Sequence, residues 1–459
     1  MNIAKLPNAS NADPVAKLLR NKLENDIGNA ERFVERCGAE VMFVPGIGWL
    51  VWDGRRWIVD IADAAIKRMA QMTVKAIFRE SEFMADRAGA DSRSKWASNS
   101  GRSPRLDAML KEARPHLIRQ LNNLDADPEL LNVKNGTINL RTGKSKPHDR
   151  NDLITKLAPV KYRGPKDSVH WTPFLRKILP APEVQEFMQR FFGYAITGLT
   201  VEQSLVFQVG KGSNGKSTMN EAIKLVLGDY CATLPIGALL FSDGRTGGAT
   251  PDIAKLAGIR VVFASEPEVG QRFSEGMIKD LTGSDTISAR KLYKDPIEFK
   301  PEFTLIIAGN NRPAIRGTDD GIWRRFNVVP YGSVIARVNR DRKLPAKLND
   351  ECSAILGWLV EGAKLWFESG LKTPQTVLAA TNSYREENDT TSQFISEMME
   401  ADVSGWVATK ELRPVYEIWC KENGFYPLGG KLFGQRLEAM GYGAKKLNGF
   451  RGRSGMRFS

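Results

Sequence analysis

The chain has 459 residues, of which 42% are apolar and 26% charged, so a packed core is expected and wholesale disorder is not. Its formal net charge of +13 suits a polyanionic partner, because phosphates neutralised by Lys and Arg release counterions. No apolar run approaches the roughly 18 residues that cross a bilayer, and the first residues lack the apolar core of a signal peptide. We therefore expect an intracellular protein of about three domains with no membrane association.

The four cysteines and three histidines are scattered along the chain, without the close spacing of a zinc site. This scatter predicts free thiols in a reducing compartment and no structural metal.

The first part of the chain, residues 1–165, is predicted to be a mixed α/β domain. Two β-hairpins are indicated by turn residues, one at Asp53 and Gly54 and one at Asn135 and Gly136. Apolar residues at helical spacing predict helices over 29–37, 61–83 and 106–124, and the polar stretch 92–103 is predicted to break the helical region. A linker is expected at 163–167.

The next part, residues 166–335, contains a phosphate-binding motif. After predicted helices over 171–199, a short apolar strand over 205–209 leads into a Gly-rich turn and then a helix that runs through 219–227. The turn fits G-x-x-x-x-G-K-[ST], in which backbone N–H groups surround phosphates, the lysine reaches the β- and γ-phosphates and the hydroxyl ligates Mg²⁺. The motif predicts ATP binding by Gly210, Lys211, Gly212, Ser213, Asn214, Gly215, Lys216, Ser217 and Thr218.

Two further apolar strands follow, over 260–268 and 304–311, and both end in polar side chains. Strands of this kind are typical of a parallel sheet with its ligand at the carboxyl ends. Glu266 is the candidate acid that holds Mg²⁺ through water and orients the attacking water. Asn310 is placed to bind the γ-phosphate or that water, and Arg324 or Arg325 is the candidate arginine finger.

The remaining residues are predicted to be mainly helical, over 346–367 and 373–399. The last segment combines two helices, over 409–423 and 432–440, with a basic hairpin, an arrangement typical of a winged-helix domain. In the hairpin, five basic residues follow Glu438 without an acid. They predict a DNA-binding segment, with a solvated tail or packing of the wing as the alternative. The candidate contacts are Lys445, Lys446, Arg451 and Arg453.

The order of the motifs GKGSNGKS, VVFASEPE, LTGSDTISARKLYKDPIEFKP, IIAGNN and DDGIWRRF resembles that of the superfamily 3 helicases. More closely, the chain resembles the phage and plasmid primase-helicases related to the poxvirus nucleoside triphosphatase-primase. The resemblance extends to GNAERFV, WLVWDGRRW and LLNVKNGTINLRTG and to the tail, so it covers essentially the whole chain.

The resemblance implies an α/β protein with an AAA+ P-loop ATPase core over 166–335 and an N-terminal α/β domain over 1–165. A helical connecting region over 336–399 and a winged-helix-like domain over 400–459 would follow. It implies a homo-oligomeric ring, usually hexameric, that hydrolyses ATP with Mg²⁺ and translocates 3′ to 5′ on single-stranded DNA at forks. Such a helicase would replicate phage or plasmid DNA in the cytoplasm of a bacterial host.

Carried over to this sequence, Lys216 and Ser217 match Walker A, Glu266 the Walker B acid and Asn310 sensor 1. Either Arg324 or Arg325 matches the arginine finger. Residues 289–296 fall where the family has its DNA-contacting pore hairpin. The candidate DNA contacts there are Arg290, Lys291, Tyr293 and Lys294, and the alternative for them is a solvated turn.

Unlike longer members of that family, the chain has no apparent upstream primase domain, so we expect priming by a separate primase or polymerase. Two other classes of function stay open at this point. A P-loop kinase or small-molecule NTPase would hydrolyse ATP as a monomer without DNA. An origin-binding initiator or loader would bind a duplex sequence without processive unwinding.

Overall fold

The computed structural model describes residues 13–242, 250–290, 296–315, 317 and 320–459. Its first part contains five helices and two antiparallel sheets, ordered β1-β2-β3 and β4-β5-β6. The elements are α1 (Pro14–Leu19), α2 (Asp26–Cys37), β1 (Val41–Val44), β2 (Gly48–Trp52), β3 (Trp57–Val59), α3 (Ala64–Glu80), α4 (Arg87–Ser100), α5 (Ser103–Leu117), β4 (Leu130–Val133), β5 (Gly136–Asn139) and β6 (Ser145–Lys146). Both predicted hairpins are confirmed.

The predicted break over 92–103 is wrong, because helix α4 covers most of it. The helix starts at Asp86, whose carboxylate accepts a hydrogen bond from the Gly89 N–H at 2.7 Å and so satisfies a first-turn donor. Arg93, Ala97 and Ser100 recur at helical spacing and are buried. The helix therefore depends on a buried face that carries polar side chains, which an apolar pattern does not reveal.

An ion-pair network is buried among the helices of this part. The Nε of Arg32 donates to both carboxylate oxygens of Glu80, at 2.9 and 3.0 Å, and Arg93 also contacts Glu80. Arg93 in turn donates to Glu24 at 3.0 Å. Burial lowers the pKa of the Arg32 guanidinium, and its hydrogen bond with Glu80 acts in the opposite direction. One carboxylate thus compensates two buried cations and ties α2, α3 and α4 together.

The central part contains a parallel five-stranded sheet in the order β13-β7-β12-β9-β8, which confirms the parallel sheet predicted from three apolar strands. The two edge strands were not predicted. The elements are α6 (Trp171–Ile178), α7 (Pro182–Ala195), β7 (Leu205–Val209), α8 (Lys216–Leu227), β8 (Cys231–Thr233), α9 (Pro251–Ala254), β9 (Val261–Ser265), α10 (Glu275–Thr282), β10 (Ile287–Arg290), β11 (Pro296–Phe299), β12 (Thr304–Gly309), α11 (Asp320–Trp323) and β13 (Phe326–Pro330).

The hydrophobic core does not divide at the predicted boundary near residue 165. Leu131 and Ile138 of the second hairpin belong to the same buried cluster as Phe191 of α7 and Val206 of β7. Polar contacts join the same parts: the Asn132 N–H donates to the Tyr230 hydroxyl at 3.0 Å. The hairpin therefore packs as part of the central core.

The final part contains α12 (Leu344–Asp350), α13 (Cys352–Ser369), α14 (Gln375–Glu387), α15 (Thr390–Met398), β14 (Met399–Ala408), α16 (Thr409–Glu422), α17 (Gly430–Ala439), β15 (Ala444–Leu447) and β16 (Phe450–Phe458). Strands β14-β16-β15 form an antiparallel sheet. The predicted helical regions and the hairpin are confirmed, but 346–367 and 373–399 each contain two helices, and β14 is an additional strand. A separate core around Phe394, Tyr416 and Phe433 holds residues 394–456 together, whereas α12 and α13 contribute to the central core. Among the described residues, no helix is both long and apolar enough to cross a membrane.

The network around Glu80 leads to a prediction about stability. We expect Glu80→Ala to lower the free energy of unfolding by about 3–5 kcal/mol, because Arg32 stays buried without its carboxylate and Arg93 keeps only Glu24. Urea unfolding followed by circular dichroism measures the effect. Glu82→Ala is the control, since Glu82 is exposed and lies just beyond the same helix. Equal midpoints for the two variants would contradict the role of the network.

Candidate functional site

The Gly-rich loop lies between the carboxyl end of β7 and the amino end of α8. Gly212 and Gly215 have φ values of +88° and +83°, a region that favours glycine. A Cβ on Gly215 would also lie only 2.4 Å from Cγ2 of Ile178 in α6. The first N–H groups of α8 have no partner within the helix, and they carry the positive end of its dipole. The loop therefore presents backbone donors at this edge of the sheet.

The side chain of Lys216 turns back into this loop and is only 5% exposed. Its Nζ donates to the Gly210 carbonyl at 3.0 Å, to Oδ1 of Asn214 at 3.0 Å and to Oδ1 of Asn310 at 3.2 Å. Burial lowers the pKa of the Lys216 ammonium, and the carboxylate of Glu266 acts in the opposite direction. The structure thus brings Lys216 and Asn310, two residues singled out from sequence, into direct contact.

Glu266 follows β9 directly and is exposed at the same edge of the sheet. Its φ of +65° is unusual for a residue other than glycine, and such strain is frequent at functional sites. The Glu266 N–H donates to the Ala308 carbonyl at 2.9 Å, which fixes this turn against β12. Because β12 lies between β7 and β9, Asn310 lies between the Gly-rich loop and Glu266.

The hydroxyl of Ser217 is also exposed, in the first turn of α8. A hydroxyl and a carboxylate are the oxygen donors that Mg²⁺ prefers, so Ser217 and Glu266 suit a divalent cation at this edge. The neighbouring acid, Glu268, differs in that its N–H donates to the Gln271 side chain at 2.7 Å and belongs to the next turn.

A cavity of about 500 Å³ adjoins the loop and was not predicted from sequence. Ser213, Gly215 and Thr218 form its loop side, and its other walls are mainly apolar. Those apolar walls come from Val169, Pro173, Phe174, Ile335, Leu344 and Pro345. Arg340 closes one side and donates from Nη2 to the Ser213 hydroxyl at 2.6 Å. The residues that line these walls form no sequence motif, and they reach the loop only through the packing of distant segments.

The two candidate finger arginines have different surroundings. Arg325 is 8% exposed and donates from Nε to the Thr282 hydroxyl at 3.0 Å, so it is held inside the fold. Arg324 is exposed and donates from Nη2 to Gln203 at 3.2 Å. Arg324 precedes the amino end of β13, which is parallel to β7, whereas the Gly-rich loop follows the carboxyl end of β7. Arg324 and the Gly-rich loop therefore lie at opposite ends of these parallel strands. The five residues of β7 separate them by about 16 Å.

Of the predicted DNA contacts of the central part, the structure places Arg290, which lies on β10 where that strand pairs with β11. Arg290, the last residue of β10, is exposed, and its N–H donates to the Thr250 hydroxyl at 3.1 Å. Lys291, Tyr293 and Lys294 lie outside the described residues.

The predicted contacts of the C-terminal hairpin fall into two groups. Lys445, Lys446 and Arg451 are exposed on β15 and β16. Arg453 is half-buried, donates to the Tyr442 carbonyl at 3.2 Å and lies 3.7 Å from Glu438. Arg453 is therefore engaged within the fold, unlike the other three candidates.

Three family models match parts of this chain. The D5 N-terminal-like family matches residues 30–193, a family of unknown function matches 208–325, and the poxvirus D5 protein-like family matches 386–453. L207/L206 of Acanthamoeba polyphaga mimivirus, named as a helicase, is 30% identical over 66% of this chain and 34% of its own length. These matches relate the chain to D5-like helicase-primases.

Two other viral relatives are more distant. Protein 022R of Frog virus 3, named as a helicase, is 25% identical over 58% of this chain and 29% of its own length. C962R of African swine fever virus, named as a primase, is 23% identical over 66% of this chain and 34% of its own length. The chain thus spans about a third of the length of these relatives.

A solved structure of the NrS-1 C-terminal region matches with a TM-score of 0.50 at 10% identity. The match covers 94% of this chain and 99% of that one. At this identity the likeness concerns the fold alone.

The packing of the Gly-rich loop leads to a prediction. We expect Gly215→Ala to lower the free energy of unfolding by about 2 kcal/mol, because a Cβ is strained at this φ and overlaps α6. Urea unfolding followed by circular dichroism measures this free energy. Gly276→Ala is the control, because nothing surrounds that position within 4 Å and its φ is not in the left-handed region. A Gly215→Ala variant as stable as the control would contradict this packing.

Proposed function

We propose that this chain is the ATP-hydrolysing motor of a replicative DNA helicase of the superfamily 3, AAA+ type. The contact between the Lys216 ammonium and Asn310, next to Glu266, carries the proposal. Viral relatives named as helicases or primases support a role in DNA replication. Helicase action also suits the net charge of +13.

In this proposal the Gly-rich loop binds the phosphates of ATP. The free N–H groups of the loop and of the first turn of α8 donate to the phosphate oxygens. Lys216 exchanges its neutral acceptors, Gly210, Asn214 and Asn310, for the β- and γ-phosphate oxygens. The apolar cavity beside Phe174 receives the adenine base.

The catalytic step uses the polar ends of β9 and β12. Ser217 and, through water, Glu266 would hold Mg²⁺, which neutralises charge on the β- and γ-phosphates when it is bound. Glu266 orients the attacking water, and Asn310, freed from Lys216, binds that water or the γ-phosphate. The hydrogen-bond acceptors of Lys216 are neutral, so exchange for phosphate oxygens gives the ammonium a charged partner, and burial strengthens that attraction.

Arg324 completes this site from a neighbouring subunit. Its position at the edge of the sheet opposite the Gly-rich loop supports action in trans, and its exposure supports Arg324 rather than Arg325 as the finger. A head-to-tail interface would place Arg324 in this way, and such an interface forms a ring when its rotation closes. We propose a hexamer that moves 3′ to 5′ on single-stranded DNA. Single-stranded DNA would contact the β10–β11 hairpin, and a winged-helix-like C-terminal domain would present Lys445, Lys446 and Arg451.

The assignment of Glu266 is tested by Glu266→Gln. We expect this variant to bind ATP with little change but to lose at least 100-fold in hydrolysis, because the amide positions neither water nor cation. Lys216→Ala should lose hydrolysis as well, but through weaker contact with the phosphates. Nucleotide binding, ATPase activity and strand displacement from a fork with a 3′ tail are measured on each folded variant.

Glu268→Gln is the matched control, since it removes the neighbouring carboxylate, and it should keep ATPase activity. Wild-type turnover in Glu266→Gln would refute its role and direct attention to Glu268. ATPase activity without strand displacement on any fork would favour an initiator or loader.

The position of Arg324 leads to a mixing experiment. An arginine finger contributes roughly 10³ to 10⁵ in rate, so we expect Arg324→Ala and Lys216→Ala to be nearly inactive alone. When equal amounts exchange subunits, about a quarter of the interfaces in a cyclic assembly combine an intact Gly-rich loop with an intact arginine. ATPase activity of the mixture should rise accordingly.

Arg325 is left unchanged in this experiment, because its buried hydrogen bonds make it a poor probe of catalysis. Labelled subunits establish that exchange takes place. Exchange without recovery of activity would rule out a shared site.

A further inference from the structure

Helix α3 presents a narrow basic stripe to solvent. Arg68, Met72, Lys75 and Arg79 are exposed and are separated by four, three and four positions, so they lie on one face of the helix. The opposite face, which includes Ile66, Ala70 and Ile77, is buried in the core of the N-terminal part. With a rise of 1.5 Å per residue, the stripe extends over about 16 Å.

The positive charge of this stripe is uncompensated within the described residues. Arg68, Lys75 and Arg79 make no ion pair there, whereas the adjacent Lys67 pairs with Asp107 at 3.3 Å. The single acid of α3, Glu80, is fully buried and is held by Arg32 and Arg93. An exposed acid, Glu82, occurs only beyond the end of the helix. The stripe therefore keeps a net charge of three positive groups.

Two large apolar side chains accompany these cations. Met72 lies within the stripe and is 38% exposed, and Phe78 lies beside Arg79 and is 43% exposed. An exposed aromatic ring among cations is the combination that binds single strands, since the cations contact phosphates and the ring stacks on a base. A protein partner would require about 800 Å² of contact with an apolar centre, which two separated side chains do not provide.

We propose that this α3 stripe, formed by Arg68, Met72, Lys75, Phe78 and Arg79, is a binding surface for single-stranded nucleic acid. It lies in the N-terminal part and is distinct from the hairpin and C-terminal contacts proposed above. Arg68, Lys75 and Arg79 bind successive backbone phosphates, and Phe78 stacks on a base. None of these residues belongs to the Gly-rich loop or its neighbours, so binding of the strand can be measured without nucleotide.

The test removes the three charges in the full chain with Arg68→Gln, Lys75→Gln and Arg79→Gln together. Binding of a fluorescent oligothymidylate is measured by anisotropy at several salt concentrations without nucleotide. We expect at least a tenfold loss of affinity at low salt. The slope of log affinity against log salt should fall by about two, since each phosphate contact on a single strand contributes about 0.7. Phe78→Ala should weaken binding at least fivefold without changing this slope.

The matched control is Arg87→Gln, Lys95→Gln and Lys111→Gln together, which removes three exposed cations from α4 and α5 of the same part. Circular dichroism and a thermal melt establish that both triple variants are folded. An unchanged slope in the α3 variant, or equal losses in both variants, would overturn the proposal. Competition by poly-glutamate as strong as that by the oligonucleotide would also overturn it and point to an acidic protein. Because the binding measurement contains no ATP, its result does not depend on whether the chain hydrolyses ATP.

Discussion

A buried ammonium at the edge of a parallel sheet is the constraint on which the candidate site depends. Lys216 is held by one carbonyl and two amide oxygens, none of which neutralises it. This arrangement requires the positive φ of Gly215 in the loop. It also requires β12 to pair with β7, because Asn310 follows β12. Because the parallel strands end at one edge, the acid after β9 reaches the same place. The order of the strands thus decides which polar side chains meet at this edge.

Segments outside the sheet also pack around the Gly-rich loop. Helix α6 closes against Gly215 and supplies a wall of the adjacent cavity, and the segment after β13 supplies the other wall. The second hairpin of the N-terminal part shares a core with α7 and β7. A nucleotide in the loop would therefore adjoin two segments that are distant from it in sequence, α6 and the residues after β13. Under the proposed function, binding there would be coupled to the packing of these segments.

Sequence patterns failed where tertiary contacts overrode local preference. Helix α4 has few apolar residues, and its buried face is formed by Arg93, Ala97 and Ser100, which pattern reasoning assigns to a loop. Arg93 is tolerated there because it pairs with Glu80 of α3 and with Glu24 of the loop before α2, and the sequence gives no indication of this proximity. Arg324 and Arg325 show the same limit. They are adjacent in sequence, yet one is exposed and the other is bonded to Thr282.

The sequence alone determined the local features of this protein. The Gly-rich motif, the apolar strands with polar ends and the basic C-terminal hairpin follow from short-range geometry: glycine torsion angles, strand alternation and turn chemistry. Only the tertiary structure decided the order of the strands, the contact between Lys216 and Asn310, the apolar cavity and the exposed face of α3. Those features depend on which distant surfaces are buried together. Burial is a property of the whole packed chain, and no window of sequence contains it.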